Sequence, residues 1–322
     1  MPFYTMPDQE QLFVRRFGSG KPVVVLSGLG MQSWQWMPFL FSNSKGFEFI
    51  IPEWRGFGRS KDCAIPEDLD SISSHWRDLE HLLTQLQLEK FAMIGYSMGA
   101  TTAMHGMQYG SLSEHLQAYL HIDQTPKIRV DTTWEYGLFG TRYKEFRRFL
   151  HLINELLQAY PKVIHIHELP EIYRQELIET WLKFIEFQSS NKYSPMLFKV
   201  ALKRPQLQKY VLPIQRLDYL RWYVQNYLNH REDYRDALQQ LKCPTTFFIG
   251  KKSTLYPEKG QTLIASQLKN ARHVYFENSG HTPLITEPKK FRYEIRRFLE
   301  DLNATNIAPQ NKERQLIGGS RI

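Results

Sequence analysis

The stretch FAMIGYSMGA, residues 91–100, restricts the fold of this chain more than any other feature. The apolar run FAMI leads directly into Gly95-Tyr96-Ser97-Met98-Gly99, and a helical pattern follows without an intervening loop. So sharp a strand-to-helix turn brings neighbouring backbones close together, and residues without a Cβ avoid the clash. The turn would present the Ser97 hydroxyl at a helix N-terminus, where N–H groups and the helix dipole favour negative charge. Ser97 is therefore the candidate nucleophile.

Short apolar runs alternate with longer helical patterns on both sides of this turn. Strands are predicted at 11–17, 22–26, 47–52, 90–96, 118–123, 245–249 and 271–276, and helices at 33–41, 69–88, 98–108, 258–268 and 288–302. Continuous apolar strands such as VVVL are typical of a parallel sheet that is covered on both faces. The order predicts an α/β fold with a mostly parallel, doubly wound sheet.

One long segment interrupts this alternation. Residues 125–240 contain helix-period stretches such as YKEFRRFLHLINELL and little that indicates a strand. The sequence therefore predicts a core from 1–124 and 241–302, with a helical cap inserted at 125–240. The last residues, 303–322, are polar and Gly-rich and are predicted to form a flexible tail.

Composition excludes several classes of function. The net charge of +8 is dispersed along the 322 residues, and its densest group lies on one predicted helix face, interleaved with aromatic residues: Arg142, Lys144, Arg147 and Arg148. That arrangement is typical of a solvated helix face and does not favour a nucleic-acid partner. No apolar run reaches the roughly 20 residues of a membrane span, and the N-terminus carries charges where a signal peptide needs an apolar run. We expect a cytoplasmic protein.

Metal and cofactor motifs are weak. Cys63 and Cys243 have no metal-ligand spacing and predict two reduced thiols. His165 and His167 form a short H-x-H pair without further ligands in view. No metal and no organic cofactor is predicted, and the sequence makes no prediction of the oligomeric state.

A glycine-lined loop follows the strand predicted at 22–26. It reads Ser27-Gly28-Leu29-Gly30 and lies at the carboxyl end of a strand near the Ser97 turn. Such a loop can aim one backbone amide at the space above Ser97, so the N–H groups of Leu29 and Met98 are predicted to form an oxyanion hole. The alternative is a plain glycine turn.

A serine hydroxyl needs a base that titrates near neutrality within hydrogen-bond reach. Of the 11 histidines, His281 is placed best, because NSGHTPLITEP puts it between the last predicted strand and the last helix. His75 and His81 are assigned instead to a helix.

Ser97 followed by His281, the SGLG loop, the RGFGRS turn at 55–60 and the inserted helical segment resemble the α/β-hydrolase superfamily. The resemblance extends to about residue 302, and GYSMGA with a single cap is most similar to the carboxylesterase and non-haem haloperoxidase (perhydrolase) branch. It implies a serine hydrolase that cleaves an ester-like acyl bond through a covalent acyl-enzyme. Ser27 departs from the pattern, because many members carry a histidine there.

The acid of the catalytic triad, which should pair with His281, departs further from the family pattern. In most members it follows the strand predicted at 245–249, where this chain has Ser253, a hydroxyl that cannot balance an imidazolium charge. Asp123 ends the strand that should lie beside the nucleophile strand, and some lipases and haloalkane dehalogenases place their acid there. Asp123 is therefore the predicted acid. The alternative is that Asp123 only caps the first helix of the inserted segment or holds the turn. Glu258 is the second candidate, and Glu53 is predicted to support the RGFG turn.

Other reactions fit the same residues. Perhydrolysis, acyl transfer and C–C bond hydrolysis differ only in the group that attacks or leaves the acyl carbon, and a non-catalytic binding protein on the same scaffold is a further alternative. The aromatic cap predicts a small, largely apolar acyl substrate, with Trp181 and Trp222 as candidate pocket residues, unless these aromatics form the core of the cap.

Overall fold

The computed structural model describes residues 2–188 and 216–304. The strands are β1 (Phe3–Thr5), β2 (Gln11–Gly18), β3 (Lys21–Leu26), β4 (Phe47–Pro52), β5 (Phe91–Tyr96), β6 (Leu116–Ile122), β7 (Thr245–Gly250) and β8 (Ala271–Phe276). The α-helices are α1 (Met37–Leu40), α2 (Ser71–Gln85), α3 (Met98–Tyr109), α4 (Leu112–His115), α5 (Tyr143–Gln158), α6 (Glu171–Gln188), α7 (Leu217–Asn229), α8 (Arg235–Gln239), α9 (Glu258–Gln267), α10 (Pro283–Thr286) and α11 (Pro288–Ala304). Short 3₁₀ helices cover Ser33–Trp36, Phe41–Asn43, Gly58–Ser60, Gly140–Arg142 and Ile166–Glu168.

Eight strands of the described ranges form one sheet in the order β1-β2-β4-β3-β5-β6-β7-β8. β2 pairs antiparallel with β1 and β4, and the pairs from β4 to β8 are parallel. The carboxyl ends of β3, β5, β6, β7 and β8 therefore meet at one edge of the sheet. The predicted α/β fold with a mostly parallel sheet is confirmed.

Both faces of the sheet are buried, as the run VVVL in β3 requires. Val24 and Leu26 lie in the core on one face, together with side chains of α2 and α3. Val23 and Val25 lie in the core on the other face, with side chains of α1 and α11. Alternate residues of a strand point to opposite faces, so a continuous apolar run fits a sheet with helices on both sides.

Two predicted helices differ most from their observed bounds. The helix predicted at 33–41 is a 3₁₀ turn followed by the four-residue α1, because Pro38 has no N–H to continue the hydrogen-bond ladder. The helix predicted at 69–88 is α2, which begins after Asp70, whose carboxylate accepts hydrogen bonds from the N–H groups of Ile72 and Ser73. Strand β1 was not predicted, since three residues give too short a pattern.

The chain between β6 and β7 is helical in its described part. It contains α5 to α8, and α5 contacts both α6 and α7. The cap predicted at 125–240 includes residues 189–215, which lie outside the described residues, and its boundaries stay a prediction. Of the tail predicted at 303–322, residues 305–322 also lie outside the described residues. Its first two residues belong to α11, which extends to Ala304. None of the helices in residues 2–188 and 216–304 has the length and apolar character needed to cross a bilayer.

The RGFG turn after β4 is held by a buried carboxylate, as predicted for Glu53. This side chain accepts hydrogen bonds from the Ser33 N–H at 2.9 Å and the Arg59 N–H at 2.7 Å. Gly58 has φ +53°, and a Cβ there would lie 2.1 Å from Glu53 Oε2. The glycine therefore lets the carboxylate enter the turn.

Arg55 in the same turn is fully buried and ties the turn to α2. Its Nε and Nη2 donate to the two carboxylate oxygens of Asp78 at 2.6 and 2.8 Å, and Asp8 lies on its other side. Burial opposes the charged guanidinium, but the carboxylates of Asp78 and Asp8 outweigh burial and raise the pKa of Arg55. A paired, bidentate arrangement is what makes such a buried charge tolerable.

We predict that Arg55→Leu lowers the free energy of unfolding by about 3–5 kcal/mol, because it leaves the Asp78 carboxylate buried without a partner. Arg77→Leu is the matched control, since the Arg77 side chain is 30% exposed and meets Asp8 at 3.4 Å; it should cost about 1 kcal/mol or less. Urea unfolding at neutral pH measures both values. Equal losses in the two variants would contradict the role given to the buried pair.

Candidate active site

Ser97 occupies the turn between β5 and α3 in a backbone conformation that few L-residues adopt. Its φ is +52° and its ψ is −121°. The turn is fixed on both sides: the Ser97 N–H donates to the Ile122 carbonyl at 3.1 Å, and the Ser97 carbonyl accepts from the N–H groups of Ala100 and Thr101 at 2.8 and 3.1 Å. Such strain persists only where the surroundings over-determine the backbone. The hydroxyl is thereby presented at the N-terminus of α3.

The two glycines of the turn are required by close contacts. A Cβ on Gly99 would lie 2.2 Å from the Leu26 carbonyl oxygen of β3, and a Cβ on Gly95 would lie 2.9 Å from the Ala100 Cα. Both distances are shorter than a side chain tolerates, so α3 can start this close to β3 only with glycine at these positions.

His281 follows β8 and reaches the same edge of the sheet. Its Nε2 lies 3.0 Å from Ser97 Oγ, and its Nδ1 lies 2.6 Å from Asp123 Oδ2. A carboxylate only accepts hydrogen bonds, so Nδ1 carries the proton and Nε2 can accept from the Ser97 hydroxyl. The imidazole contacts two aromatic rings, with centroid distances of 5.3 Å to Tyr96, which stacks on it, and to Tyr256, which is tilted by 60°.

Asp123 follows the last residue of β6 and is fully buried. Its own φ is +40°, and its N–H donates to the Phe248 carbonyl at 3.0 Å. The carboxylate lies beside His281, as predicted from its place at the end of the strand next to β5. Glu258, the second candidate, lies in α9 and accepts a hydrogen bond of 3.4 Å from Thr262.

Ser253 and Gln261 make two contacts to Asp123 that sequence reasoning missed. Ser253 Oγ donates to Asp123 Oδ2 at 2.8 Å, and Gln261 Nε2 donates to Asp123 Oδ1 at 2.9 Å. The sequence indicates only that Ser253 lacks a charge. No local motif marks Gln261.

The loop predicted to carry one oxyanion donor is braced by two indoles. Ser27 is fully buried, and its Oγ accepts a hydrogen bond of 3.0 Å from Trp36 Nε1. The Ser27 carbonyl accepts one of 2.7 Å from Trp54 Nε1. Ser27 thus fixes the start of the loop from both its side chain and its backbone.

This loop lies directly against the serine turn. A Cβ on Gly28 would be 3.3 Å from the Ser97 Cβ, and Gly28 and Leu29 line the same cavity as Ser97. Met98 supplies the first amide of α3. The oxyanion role of the Leu29 and Met98 amides stays a prediction.

An apolar cavity of about 320 Å³ opens above Ser97 and His281. Helices α5, α6 and α7 supply a large part of its wall through Phe146, Leu150, Ile153, Trp181, Phe184, Leu220, Tyr223, Val224 and Tyr227. Among the described residues that line it, none is Asp, Glu, Lys or Arg. Trp181 therefore lies where it was predicted, whereas Trp222 faces a separate groove and donates to the Leu69 carbonyl.

Tyr256 closes the floor of this cavity beside the serine. Its side chain is buried and its ring contacts His281. Burial raises the pKa of Tyr256 well above its ordinary value, while Gln124 and Ser97 act in the opposite direction through hydrogen bonds. The phenol therefore keeps its proton near Ser97 at neutral pH and is not a base.

A family model described as the alpha/beta hydrolase family matches residues 23–292. The chain belongs to this family. The predicted superfamily is thereby confirmed.

Sequence relatives of this alpha/beta hydrolase include esterases and a putative non-heme chloroperoxidase, and solved structures share its fold. The chain is 22% identical over 287 residues to the pimeloyl-(acyl-carrier protein) methyl ester esterase of Legionella pneumophila, across 88% of this chain and 98% of the relative. An esterase from Exiguobacterium antarcticum is similar in structure, with a TM-score of 0.64, 18% identity, and coverage of 92% of this chain and 98% of that one. A bromoperoxidase from Bacillus anthracis gives a TM-score of 0.59 at 17% identity, with coverage of 91% and 97%.

We predict that Asp123→Asn slows labelling of the protein by a fluorophosphonate probe by about 10³-fold or more, because an asparagine does not hold the Nδ1–H tautomer of His281. Glu258→Gln should label at the wild-type rate. The second-order rate constant of labelling measures both, and thermal melting checks that each variant is folded. An Asp123→Asn variant that keeps more than about a tenth of the wild-type rate, a change of roughly 1.4 kcal/mol, would exclude Asp123 as the acid.

Proposed function

We propose that this alpha/beta hydrolase is a serine hydrolase that cleaves an ester bond of an uncharged, largely apolar acyl substrate through a covalent acyl-enzyme. One observation carries the proposal: an unbroken line of contacts runs from Asp123 Oδ2 to His281 Nδ1 at 2.6 Å and from His281 Nε2 to Ser97 Oγ at 3.0 Å, at the floor of an apolar cavity. The esterase-like relative supports the choice of an ester.

The first half of the reaction forms the acyl-enzyme. Ser97 Oγ attacks the ester carbonyl carbon while its proton passes to His281 Nε2. The carbonyl oxygen gains the negative charge, and the N–H groups of Leu29 and Met98 donate to it. The imidazolium then gives its proton to the leaving alkoxide as the C–O bond breaks.

The second half releases the acid. Water gives a proton to His281 Nε2 and its oxygen attacks the acyl carbon, and the proton returns to Ser97 Oγ as the ester bond to the enzyme breaks. In both halves, Asp123 orients the imidazole and stabilises the imidazolium.

The cavity wall limits the substrate. A charged group on the acyl chain would lose its hydration without finding an opposite charge among the described lining residues, which is costly. The volume of about 320 Å³ is near the lower end of the roughly 300–1,000 Å³ of ligand pockets. These features favour a neutral acyl group of modest length.

The helices between β6 and β7 act as a lid in this proposal. Because α5, α6 and α7 supply the wall opposite the serine, their position sets the room for the acyl group. The predicted cap at 125–240 would accordingly govern access and chain-length preference.

A non-catalytic binding protein is less well supported. Such a protein has no need of a strained serine, an aligned imidazole and a buried carboxylate held in sequence. Perhydrolysis and acyl transfer share the acyl-enzyme and differ only in the acceptor, so hydrogen peroxide or an alcohol in place of water distinguishes them.

We predict that the protein hydrolyses p-nitrophenyl esters of short and medium acyl chains and that Ser97→Ala abolishes this activity, since the acyl-enzyme can no longer form. The release of p-nitrophenol measures hydrolysis by the wild type and by Ser97→Ala. Labelling with a fluorophosphonate probe measures the reactivity of the serine in both. Addition of EDTA should leave the rate unchanged. The proposal fails if folded wild-type protein cleaves no ester in a broad panel and does not react with the probe.

We also predict that Ile153→Trp shifts the preference toward shorter acyl chains, because Ile153 lines the cavity and the larger ring takes up its volume. Leu152→Trp is the matched control, since Leu152 is the neighbouring residue of α5 and is 50% exposed. The ratio of kcat/KM for p-nitrophenyl octanoate to that for the butyrate should fall about tenfold or more in Ile153→Trp only, a loss of roughly 1.4 kcal/mol. The same ratio in both variants would remove Ile153 from the acyl site.

A further inference from the structure

We propose that Ser253 and Gln261 are positioning residues that hold the Asp123 carboxylate in line with His281. The inference rests on the proposed function, because it assigns these two side chains to the orientation of the triad acid. The loop after β7 thus supplies a neutral donor to a carboxylate that follows the neighbouring strand β6.

Four donors surround the Asp123 carboxylate. Oδ2 accepts from Ser253 Oγ at 2.8 Å and from His281 Nδ1 at 2.6 Å. Oδ1 accepts from the Gly250 N–H at 3.2 Å and from Gln261 Nε2 at 2.9 Å. Both oxygens are thus held on two sides, which fixes the rotation of the carboxylate and with it the direction of the lone pair that faces His281.

The sheet order explains why this support is needed. β7 lies between β6, which leads to Asp123, and β8, which leads to His281. The carboxylate must therefore reach across the end of β7 to meet the imidazole. Gly250 ends β7 and lets the backbone next to His281 approach closely, because a Cβ on it would lie 2.2 Å from the Gly280 carbonyl oxygen.

Ser253 is chemically suited to the place where the family acid usually stands. A second carboxylate there would face the carboxylate of Asp123, and like charges at such a distance disfavour ionisation of both. A hydroxyl donates to Asp123 without adding charge. Its oxygen also accepts a hydrogen bond of 3.3 Å from the Tyr256 N–H, so the loop and the acid are held together.

Gln261 is costly to bury, which argues for a role beyond packing. Its Nε2 donates both to Asp123 and to the Tyr256 carbonyl at 2.9 Å. Its Oε1 is buried and has no hydrogen-bond partner among the described residues. An unsatisfied buried acceptor destabilises the fold, and here that cost accompanies the two hydrogen bonds that the Gln261 amide donates to Asp123 and Tyr256.

The test compares Ser253→Ala and Gln261→Met with Ser253→Thr, which keeps the hydroxyl. Thr254→Ala is the matched control, because the Thr254 hydroxyl lies in the same loop and donates to the Gln188 carbonyl instead. With p-nitrophenyl butyrate as substrate, kcat should fall about tenfold in Ser253→Ala and in Gln261→Met while KM stays within about twofold, since orientation of the imidazole affects the transition state more than binding. Ser253→Thr should restore most of kcat.

A second readout is independent of turnover. The proton between His281 Nδ1 and Asp123 gives a far-downfield ¹H NMR signal, and its position should move in Ser253→Ala and return toward the wild-type position in Ser253→Thr. If Ser253→Ala and Gln261→Met both keep kcat within twofold of Thr254→Ala and leave this signal unmoved, the inference is overturned while the proposed function stands. If wild-type protein shows no turnover and no probe labelling, the proposed function fails, and the NMR signal alone then decides whether these residues hold Asp123.

Discussion

The close approach of α3 to β3 is the contact on which the site depends. Gly99 lets the first turn of α3 meet the Leu26 carbonyl, and this contact forces the chain to turn sharply at Ser97. The strained serine backbone follows from the packing of a helix on a parallel sheet, and the neighbouring glycine loop is brought within contact distance of it. Rigid core packing thus sets the geometry of the reactive groups, and no flexible segment is needed to bring them together.

The position of Asp123 separates what the chemistry of such a site requires from what can differ between proteins of this fold. An imidazole needs one carboxylate at Nδ1, but the chemistry does not depend on the strand that supplies it. Adjacent strands are about 4.8 Å apart, so Asp123 reaches His281 from β6 by crossing the end of β7. The shift has a structural cost, which is visible in the donors gathered around Asp123 and in the unsatisfied Gln261 oxygen.

The sequence predicts most of the backbone and the three side chains that the fold brings together at the site, because both leave local signals. Periodicity indicates the strands, the glycine spacing marks the Ser97 turn, and strand ends locate Asp123 and His281. Contacts between distant segments leave no such signal. Ser253 lies 130 positions from Asp123, and nothing in GKKSTLYP shows that its hydroxyl points at that carboxylate. Trp181 and Trp222 look equivalent in the sequence, yet only the fold separates the one at the cavity from the one at another groove.

The uncharged wall of the cavity bears on how a catalytic cycle ends. In the proposed reaction, hydrolysis of a neutral ester creates a carboxylate, and this new charge would form in a space whose described lining contains no Lys or Arg. The loss of hydration then disfavours binding of the charged product in the cavity but not binding of the neutral substrate. The same wall that admits an apolar ester would expel the acid made from it, so product inhibition should be weak and release of the acid should favour forward turnover.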